Sequence, residues 1–104
     1  MEFSGKKVTV VGTGISGIGA VGLLNAVGAE VVLYDGNEKL KIEDIEKKLG
    51  TYKAEIVLGE LTKELTDSSD LLVISPGVPI DSPVVKAFEA AGVPVWGEVE
   101  LAYA

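Results

Sequence analysis

The sequence predicts an α/β fold, with a mostly parallel sheet of five strands between two layers of helices. Short apolar runs alternate with segments of helical spacing along the chain, and this alternation is typical of parallel sheets covered on both faces. The length of 104 residues suits one domain. Because crossovers between parallel strands are right-handed, the favoured strand order is 3-2-1-4-5. That order reverses between strands 1 and 4 and leaves a crevice there for a ligand.

Five apolar runs predict the strands of this sheet. They cover residues 8–11, 30–34, 55–58, 71–74 and 93–96. Valine and isoleucine recur in them, and β-branched side chains favour extended backbone. The third run is the weakest of the five signals.

Helices are predicted in the intervals between the strands. They cover residues 15–27, 42–49 and 83–91, with a single helical turn at residues 61–66, and a further helix starts at residues 98–103. Three of them stop at glycines that suit the end of a helix, namely Gly28, Gly50 and Gly92. Pro83 suits the first position of the fourth helix, with Asp81 or Ser82 as its cap. Because the chain stops inside the last predicted helix, we expect one domain of a longer protein.

The composition argues against several classes of function. With 16 acidic and 9 basic residues the net charge is −7, which disfavours binding to nucleic acid or to an acidic membrane surface. The chain has no cysteine and no histidine, so it lacks thiolate ligands and the commonest general base. Residues 8–29 carry no charge, but six glycines interrupt them. They therefore indicate a buried strand with its packed helix rather than a signal peptide, and we expect a soluble cytoplasmic protein.

A glycine-rich loop follows the first strand and opens the first helix, as in Rossmann-like domains. The segment GTGISG matches the pattern GxGxxG. Gly12 permits a tight turn, Gly14 lets the backbone approach a phosphate, and Gly17 lets the helix pack closely on the sheet. The amides of Ile15 and Ser16 and the helix dipole favour an anion at this position. Two further glycines inside the helix, Gly19 and Gly22, are expected to serve close packing.

Two other strand ends border the predicted crevice. Asp35 ends the second strand, where an acid can accept hydrogen bonds from ribose hydroxyls or close a local turn with its side chain. Ser75, Pro76 and Gly77 follow the fourth strand and form either a second wall of a ligand site or a stiff connector. The residues alone do not decide between the two interpretations of Asp35, or between the two interpretations of residues 75–77. Up to this point, an NAD-binding domain is the leading interpretation.

Three segments together resemble the amino-terminal domain of the Mur ligase family, in particular of its D-glutamate-adding members. They are TVVGTGISG, VVLYD and DLLVISPGVPIDSPVVKAFEAAGVPVWGEVEL. The similarity extends over nearly the whole chain. The glycine loop occurs in many families, whereas SPG, followed by PIDSP and AGVPVWGEVEL, is specific.

The resemblance implies a cytoplasmic three-domain ligase of peptidoglycan biosynthesis, on which bacterial cell shape and division depend. Residues 1–104 would be the domain that binds UDP-N-acetylmuramoyl-L-alanine, the second domain would bind ATP and Mg²⁺, and the third D-glutamate. The full enzyme would convert the substrate carboxylate to an acyl phosphate, which the amine of D-glutamate attacks. We expect a monomer.

The same resemblance implies roles for individual residues around the UDP group. The predicted contacts are Gly12, Gly14, Ile15, Ser16, Gly17, Asp35, Gly36, Asn37, Ser75, Pro76 and Gly77. In this reading the amides of Ile15 and Ser16 hold the diphosphate, helped by the Ser16 hydroxyl. Asp35 accepts from the uracil N–H. Some relatives have a basic residue just after this acid to stack on uracil, and this chain has Gly36 and Asn37 instead.

Nothing in the sequence predicts catalysis by this chain alone. It contains no phosphate loop of the G-T-x-G-K-[ST] kind, no metal-ligand cluster and no nucleophile–base pair. Asp67, Ser68, Ser69 and Asp70 are expected to form a loop, and Glu98 and Glu100 to be charges at a helix start. Two alternatives remain: an NAD-binding domain of an oxidoreductase and a nucleotide-sensing regulatory domain. The second is disfavoured because no exposed apolar helix face is evident.

Overall fold

The computed structural model of the chain describes residues 3–75, 78–79 and 81–97, and for Ile15 and Ser16 the backbone only. Within these residues one sheet of five parallel strands has the order β3-β2-β1-β4-β5, which confirms the predicted order. The strands are β1 Lys7–Val11, β2 Glu30–Asp35, β3 Glu55–Leu58, β4 Leu71–Ile74 and β5 Val95–Gly97. The helices are α1 Ile15–Ala26, α2 Ile42–Leu49, α3 Lys63–Ser68 and α4 Pro83–Ala90.

The helices cover both faces of the sheet, so the predicted three layers are confirmed. Because successive side chains of a strand point to opposite faces, β1 contributes Val8 and Val10 to one core and Val11 to the other. Helices α1 and α2 pack on the first face, with Leu24 and Ile45 fully buried. Helices α3 and α4 pack on the second face.

Two helices end in the same glycine motif. After α1, Gly28 has a φ of +79°, its amide donates to Asn25 O, and the amide of Ala29 donates to Leu24 O. After α4, Gly92 has a φ of +80° and the amide of Val93 donates to Phe88 O. A left-handed residue that lets the next amide turn back onto the helix is the usual role of glycine here. The helix-ending role predicted for these two glycines is confirmed.

The largest boundary differences from the predictions are at the fifth strand and the third helix. The fifth strand begins at Val95 rather than at residue 93, because the amide of Val93 is used to close α4. Helix α3 runs on to Ser68, so the prediction that residues 67–70 form one loop is wrong for Asp67 and Ser68. The hydroxyl of Ser68 donates back to Leu65 O at 3.4 Å. The hydroxyl of Ser68 thus has a hydrogen-bond partner within the last turn of the helix.

Three other predictions about helices have separate outcomes. A Cβ on Gly22 would lie 2.7 Å from the Tyr52 ring, which confirms close packing, but a Cβ on Gly19 would meet no atom within 4 Å, so that prediction is wrong. Leu23 of α1 and Val27, the residue that caps its carboxyl end, are each 47% exposed. Two such side chains are ordinary for a protein surface, so the expectation of no exposed apolar helix face stays a prediction. At α4, Ser82 occupies the cap position, but its side chain makes no capping hydrogen bond. The helix predicted at 98–103 lies outside the described residues.

No helix in the described part of the chain combines the length and apolarity that a membrane crossing requires.

Candidate functional site

The carboxyl ends of the three central strands lie level at one edge of the sheet. In the parallel register, Val11 of β1 pairs with Tyr34 of β2 on one side and with Ile74 of β4 on the other. The residues that follow these positions are therefore brought together at the point where the strand order reverses. This is the edge at which open α/β sheets bind ligands.

The glycine loop is held tightly against β2 and β4. Gly12 has a φ of +107°, which suits glycine, and its amide donates to Tyr34 O at 2.9 Å. A Cβ on Gly12 would lie 3.0 Å from Ser75 Oγ, and a Cβ on Gly17 would lie 1.9 Å from Gly12 O. Gly12 and Gly17 are thus required by the fold of the loop itself.

Gly14 differs from its two neighbours in the motif. It is exposed, its φ of −75° and ψ of −175° are open to any residue, and a Cβ there would meet no atom of the described residues within 4 Å. The protein does not need glycine at this position for its own packing. The space beside Gly14 is therefore available to a ligand that approaches the backbone closely.

Gly14 also begins helix α1 without a side-chain cap. The first amide of this helix that finds a helical acceptor is that of Ile18, which donates to Gly14 O at 3.0 Å. The amides of residues 15–17 precede it and have no acceptor within the helix, as at any helix start. No acidic residue lies in the first turn. The positive end of the helix dipole is thus free to attract an anion.

Asp35 is half-buried and uses both carboxylate oxygens within the protein. Oδ2 accepts from the hydroxyl of Thr13 at 3.0 Å, and Oδ1 accepts from the amide of Asn37 at 2.9 Å. The second bond is the side-chain turn expected as one reading of Asp35. Asn37 forms the same kind of side-chain turn, since its Oδ1 accepts from the amide of Lys39 at 3.1 Å. Gly36 and Asn37 are exposed beside the carboxylate.

Beneath this turn, Tyr34 connects β2 to the loop after β3. It is 5% exposed, and its hydroxyl donates to Gly59 O. Burial, and then the carboxylates of Asp35 and Glu60, raise the pKa of the Tyr34 hydroxyl above its ordinary value. The phenol therefore stays protonated and keeps its donor role, and the rim of the site on this side is acidic.

Ser75 closes the opposite side of the crevice. Its hydroxyl donates to Val11 O at 3.0 Å, so it joins the ends of β4 and β1 directly beside the glycine loop. The amide of Val78 donates to Ser75 O at 2.9 Å, which turns the chain back at this edge. Pro76, Gly77, Glu98 and Glu100 lie outside the described residues.

Sequence reasoning missed two residues of this edge. Thr13 occupies a variable position between two glycines of the motif. Tyr34 belongs to a predicted strand, so neither residue was predicted to take part in the site. The alternation of side chains along β2 and the pairing of Tyr34 with Val11 are signals that put Tyr34 at this edge. No spacing rule indicates that the Thr13 hydroxyl contacts Asp35. Ser82 Oγ is also buried and has no hydrogen-bond partner among the described residues.

Two cavities in the described part of the chain lie elsewhere. One of about 470 Å³ is lined at the amino ends of β2 and β3, by residues that include Glu30 and Lys53. The other, of about 390 Å³, lies between β3 and α3. The described residues contain no group of three or more acidic, histidine or cysteine side chains that could hold a metal ion.

Comparisons with known proteins agree with the resemblance in the sequence. The profile of the family described as "Mur ligase MurD-like, N-terminal domain" matches residues 6–97. The chain is 63% identical over 103 residues to the UDP-N-acetylmuramoylalanine--D-glutamate ligase of Lachnospira eligens. It is 53% identical over 104 residues to the protein of that name from Lachnoclostridium phytofermentans. In both cases the match covers 99% of this chain and 23% of the relative. The chain thus spans about a quarter of their length.

Solved structures show the same fold at low identity. A pseudomurein peptide ligase type C from Methanothermus fervidus superposes with a TM-score of 0.74 at 22% identity, over 95% of this chain and 20% of that one. The shikimate dehydrogenase of Aquifex aeolicus gives 0.67 at 17% identity, over 97% and 45%. At these identities the two structures bear on the fold alone.

Proposed function

We propose that this chain, which belongs to the family of MurD-like Mur ligase N-terminal domains, binds the UDP group of UDP-N-acetylmuramoyl-L-alanine. The observation that carries the proposal is the uncapped start of α1 beside Gly14, level with the Asp35 carboxylate. One feature suits a diphosphate and the other suits a donor group on a base. Relatives that match this chain over 23% of their length carry UDP-N-acetylmuramoylalanine in their names, which supports the choice of ligand.

The diphosphate would lie against the start of α1. The amides of Ile15 and Ser16 would donate to its oxygens, with the Ser16 hydroxyl available as a further donor. The helix dipole contributes about 0.3–1 kcal/mol per charge, and up to about 2 kcal/mol where the site is partly buried. These local terms act at contact distance, whereas the net charge of −7 is screened over about 8 Å at physiological salt. An acidic protein can therefore hold an anion here.

The uracil would lie beside the turn after β2. An ionised carboxylate only accepts hydrogen bonds, so Asp35 would accept from the imide N–H of the base. Gly36 and Asn37 would flank the ring, and Ser75, Pro76 and Gly77 would wall the nucleotide from the β4 side. Gly12 and Gly17 would shape the loop, while Gly14 would admit the phosphate.

The chemistry of the whole enzyme would belong to other domains. We propose that residues 1–104 are the first domain of a monomeric cytoplasmic ligase that adds D-glutamate during peptidoglycan synthesis, through an acyl phosphate made with ATP and Mg²⁺. The sequence contains no phosphate loop of the G-T-x-G-K-[ST] kind, and its described residues contain no metal-ligand cluster. We therefore expect ATP and Mg²⁺ to bind to other domains, and we expect no catalysis from this chain alone.

An amide-resolved NMR titration of the 104-residue chain tests the proposal. Residues from other domains are expected to complete the site, so we expect a dissociation constant of about 1 mM, roughly −4 kcal/mol. UDP-N-acetylmuramoyl-L-alanine should shift the amides of Ile15, Ser16 and Asp35, and NAD should not. Shifts with NAD alone would indicate a dinucleotide domain, and no shifts with up to about 10 mM UDP-sugar would refute binding by this chain.

A further inference from the structure

We propose that Thr13 is a positioning residue that holds the Asp35 carboxylate in place for the base of the nucleotide. The inference rests on the proposed function, because the base in question is the uracil of the UDP-sugar. It adds a residue that the family resemblance did not assign. It also assigns that residue a specific effect, on recognition of the base rather than of the diphosphate.

The contact between Thr13 and Asp35 joins two loops that are far apart in sequence. Thr13 is 6% exposed, and a buried hydroxyl without a partner is costly. Its Oγ1 lies 3.0 Å from Asp35 Oδ2, between residues 22 positions apart. Because an ionised carboxylate has no proton to give, the hydroxyl must be the donor. The glycine loop therefore holds one oxygen of Asp35.

The second oxygen of Asp35 is held from another direction. Oδ1 accepts from the Asn37 amide at 2.9 Å, within the turn that follows β2. With one donor on each oxygen, the carboxylate cannot rotate without breaking a hydrogen bond. Each oxygen can accept a further bond, so acceptor capacity remains for a ligand. A donor on the ligand then binds an acceptor that is already ordered, which lowers the entropy cost of recognition.

The diphosphate contacts do not depend on this hydroxyl. They are assigned to amides at the start of α1, which follow Gly14, and the loop is shaped by the contacts of Gly12 and Gly17. Removing the hydroxyl should thus weaken recognition of the base and spare recognition of a diphosphate that has no base. A merely structural role of Thr13 would affect both together.

Binding of UDP and of inorganic pyrophosphate to three variants tests this inference. Thr13→Val keeps nearly the same volume and removes the donor, and Thr13→Ser keeps the donor. Thr9→Val is the matched control, because Thr9 is also fully buried in β1 and its Oγ1 lies 2.7 Å from Ser69 Oγ, away from the site. Thermal unfolding of each variant establishes that it is folded.

In Thr13→Val we expect the dissociation constant for UDP to rise about fivefold, as for loss of one ordinary hydrogen bond. The constant for pyrophosphate should stay unchanged, and Thr13→Ser should restore UDP binding. Thr9→Val should lower stability and leave both constants unchanged. Equal weakening of UDP and pyrophosphate in Thr13→Val, or no weakening of either, would overturn the inference.

A measurement without ligand separates this inference from the proposed function. Side-chain coupling constants of Asp35 report its χ1 rotamer, and they should indicate one rotamer in the wild-type chain and in Thr13→Ser. In Thr13→Val they should move towards an average over rotamers. If wild-type protein binds UDP no better than pyrophosphate, uridine recognition is refuted. Unchanged couplings in Thr13→Val would refute the positioning role, whatever the ligand results.

Discussion

Two roles of the glycine motif, leaving space for a ligand and packing the loop, can be separated by substituting Gly14 and Gly17 with alanine. At Gly14 the new methyl meets no atom of the residues that the structure describes within 4 Å, and the backbone at φ −75° and ψ −175° is accessible to alanine. Alanine is a poorer helix cap than glycine, but it also restricts the unfolded chain. These opposing effects are each at most about 1 kcal/mol, so Gly14→Ala should leave the stability nearly unchanged.

Gly17→Ala, in contrast, should lower the free energy of unfolding. Its Cβ would lie 1.9 Å from Gly12 O and 2.9 Å from Gly12 C, so the clash is with backbone rather than with a side chain that could turn away. Overpacking typically costs 1–3 kcal/mol. Because the loop is also tied to Tyr34 and Ser75, we expect a loss of about 3 kcal/mol or more in the free energy of unfolding.

The two substitutions should therefore separate stability from binding. A methyl beside Gly14 would keep a phosphate from the amides of α1, and a hydrogen bond to a charged group contributes about 1.5–3 kcal/mol. Its loss weakens UDP binding by about ten- to a hundredfold. Urea unfolding, followed by the fluorescence of Trp96, measures stability, and amide shifts on titration with UDP measure binding. Unchanged UDP affinity in Gly14→Ala, or stability lost as in Gly17→Ala, would refute the assignment of the open space to a ligand.

Three further predictions concern single residues. Gly19→Ala should raise the free energy of unfolding by about 1 kcal/mol, and Gly22→Ala should raise it less because the Tyr52 ring must move; equal gains in urea unfolding would contradict this contact. Burial and nearby carboxylates raise the pKa of Tyr34 above 10.0. Its contribution to stability should therefore be complete below pH 10 and be lost as the pH rises through the raised value. In Tyr34→Phe, the free energy of unfolding measured by urea should decrease less between pH 10 and the raised pKa than in the wild-type chain. An equal decrease in both proteins would contradict this role of Tyr34. Asp35→Ala should weaken UDP binding and cost about 1–3 kcal/mol of stability, whereas Asp35→Asn should weaken binding at a smaller cost; equal UDP affinity in all three proteins would leave Asp35 as a turn residue only.

The strand order could be predicted because chain order and handedness leave few arrangements. Apolar runs such as residues 71–74 are buried throughout, and they match β4 at both ends. Boundaries were less predictable where polar atoms decide them. Hydrophobic periodicity carries no signal for two such hydrogen bonds. One runs from the Ser68 hydroxyl to Leu65 O at the end of α3, and the other from the Val93 amide to Phe88 O at the end of α4.

The candidate site was predictable in outline and not in its connections. Spacing after each strand placed Gly14, Asp35 and Ser75 at one edge, because parallel strands end level there. Spacing does not say which side chains meet across that edge. The hydrogen bond from Thr13 to Asp35 depends on the rotamers of two residues in different loops. The same limit applies to Ser75, whose hydroxyl joins β4 to Val11 O.

The structure also explains why the glycine motif alone could not identify the ligand. Gly12 and Gly17 are required by contacts within the protein, so any domain with this strand–helix turn needs them, whatever it binds. On the proposed function, Gly14 would admit a phosphate, which UDP and NAD both carry. We therefore expect discrimination between the two ligands to come from the residues after β2 and β4, where Asp35 is held by Thr13 and Asn37 and Ser75 is hydrogen-bonded to Val11 O.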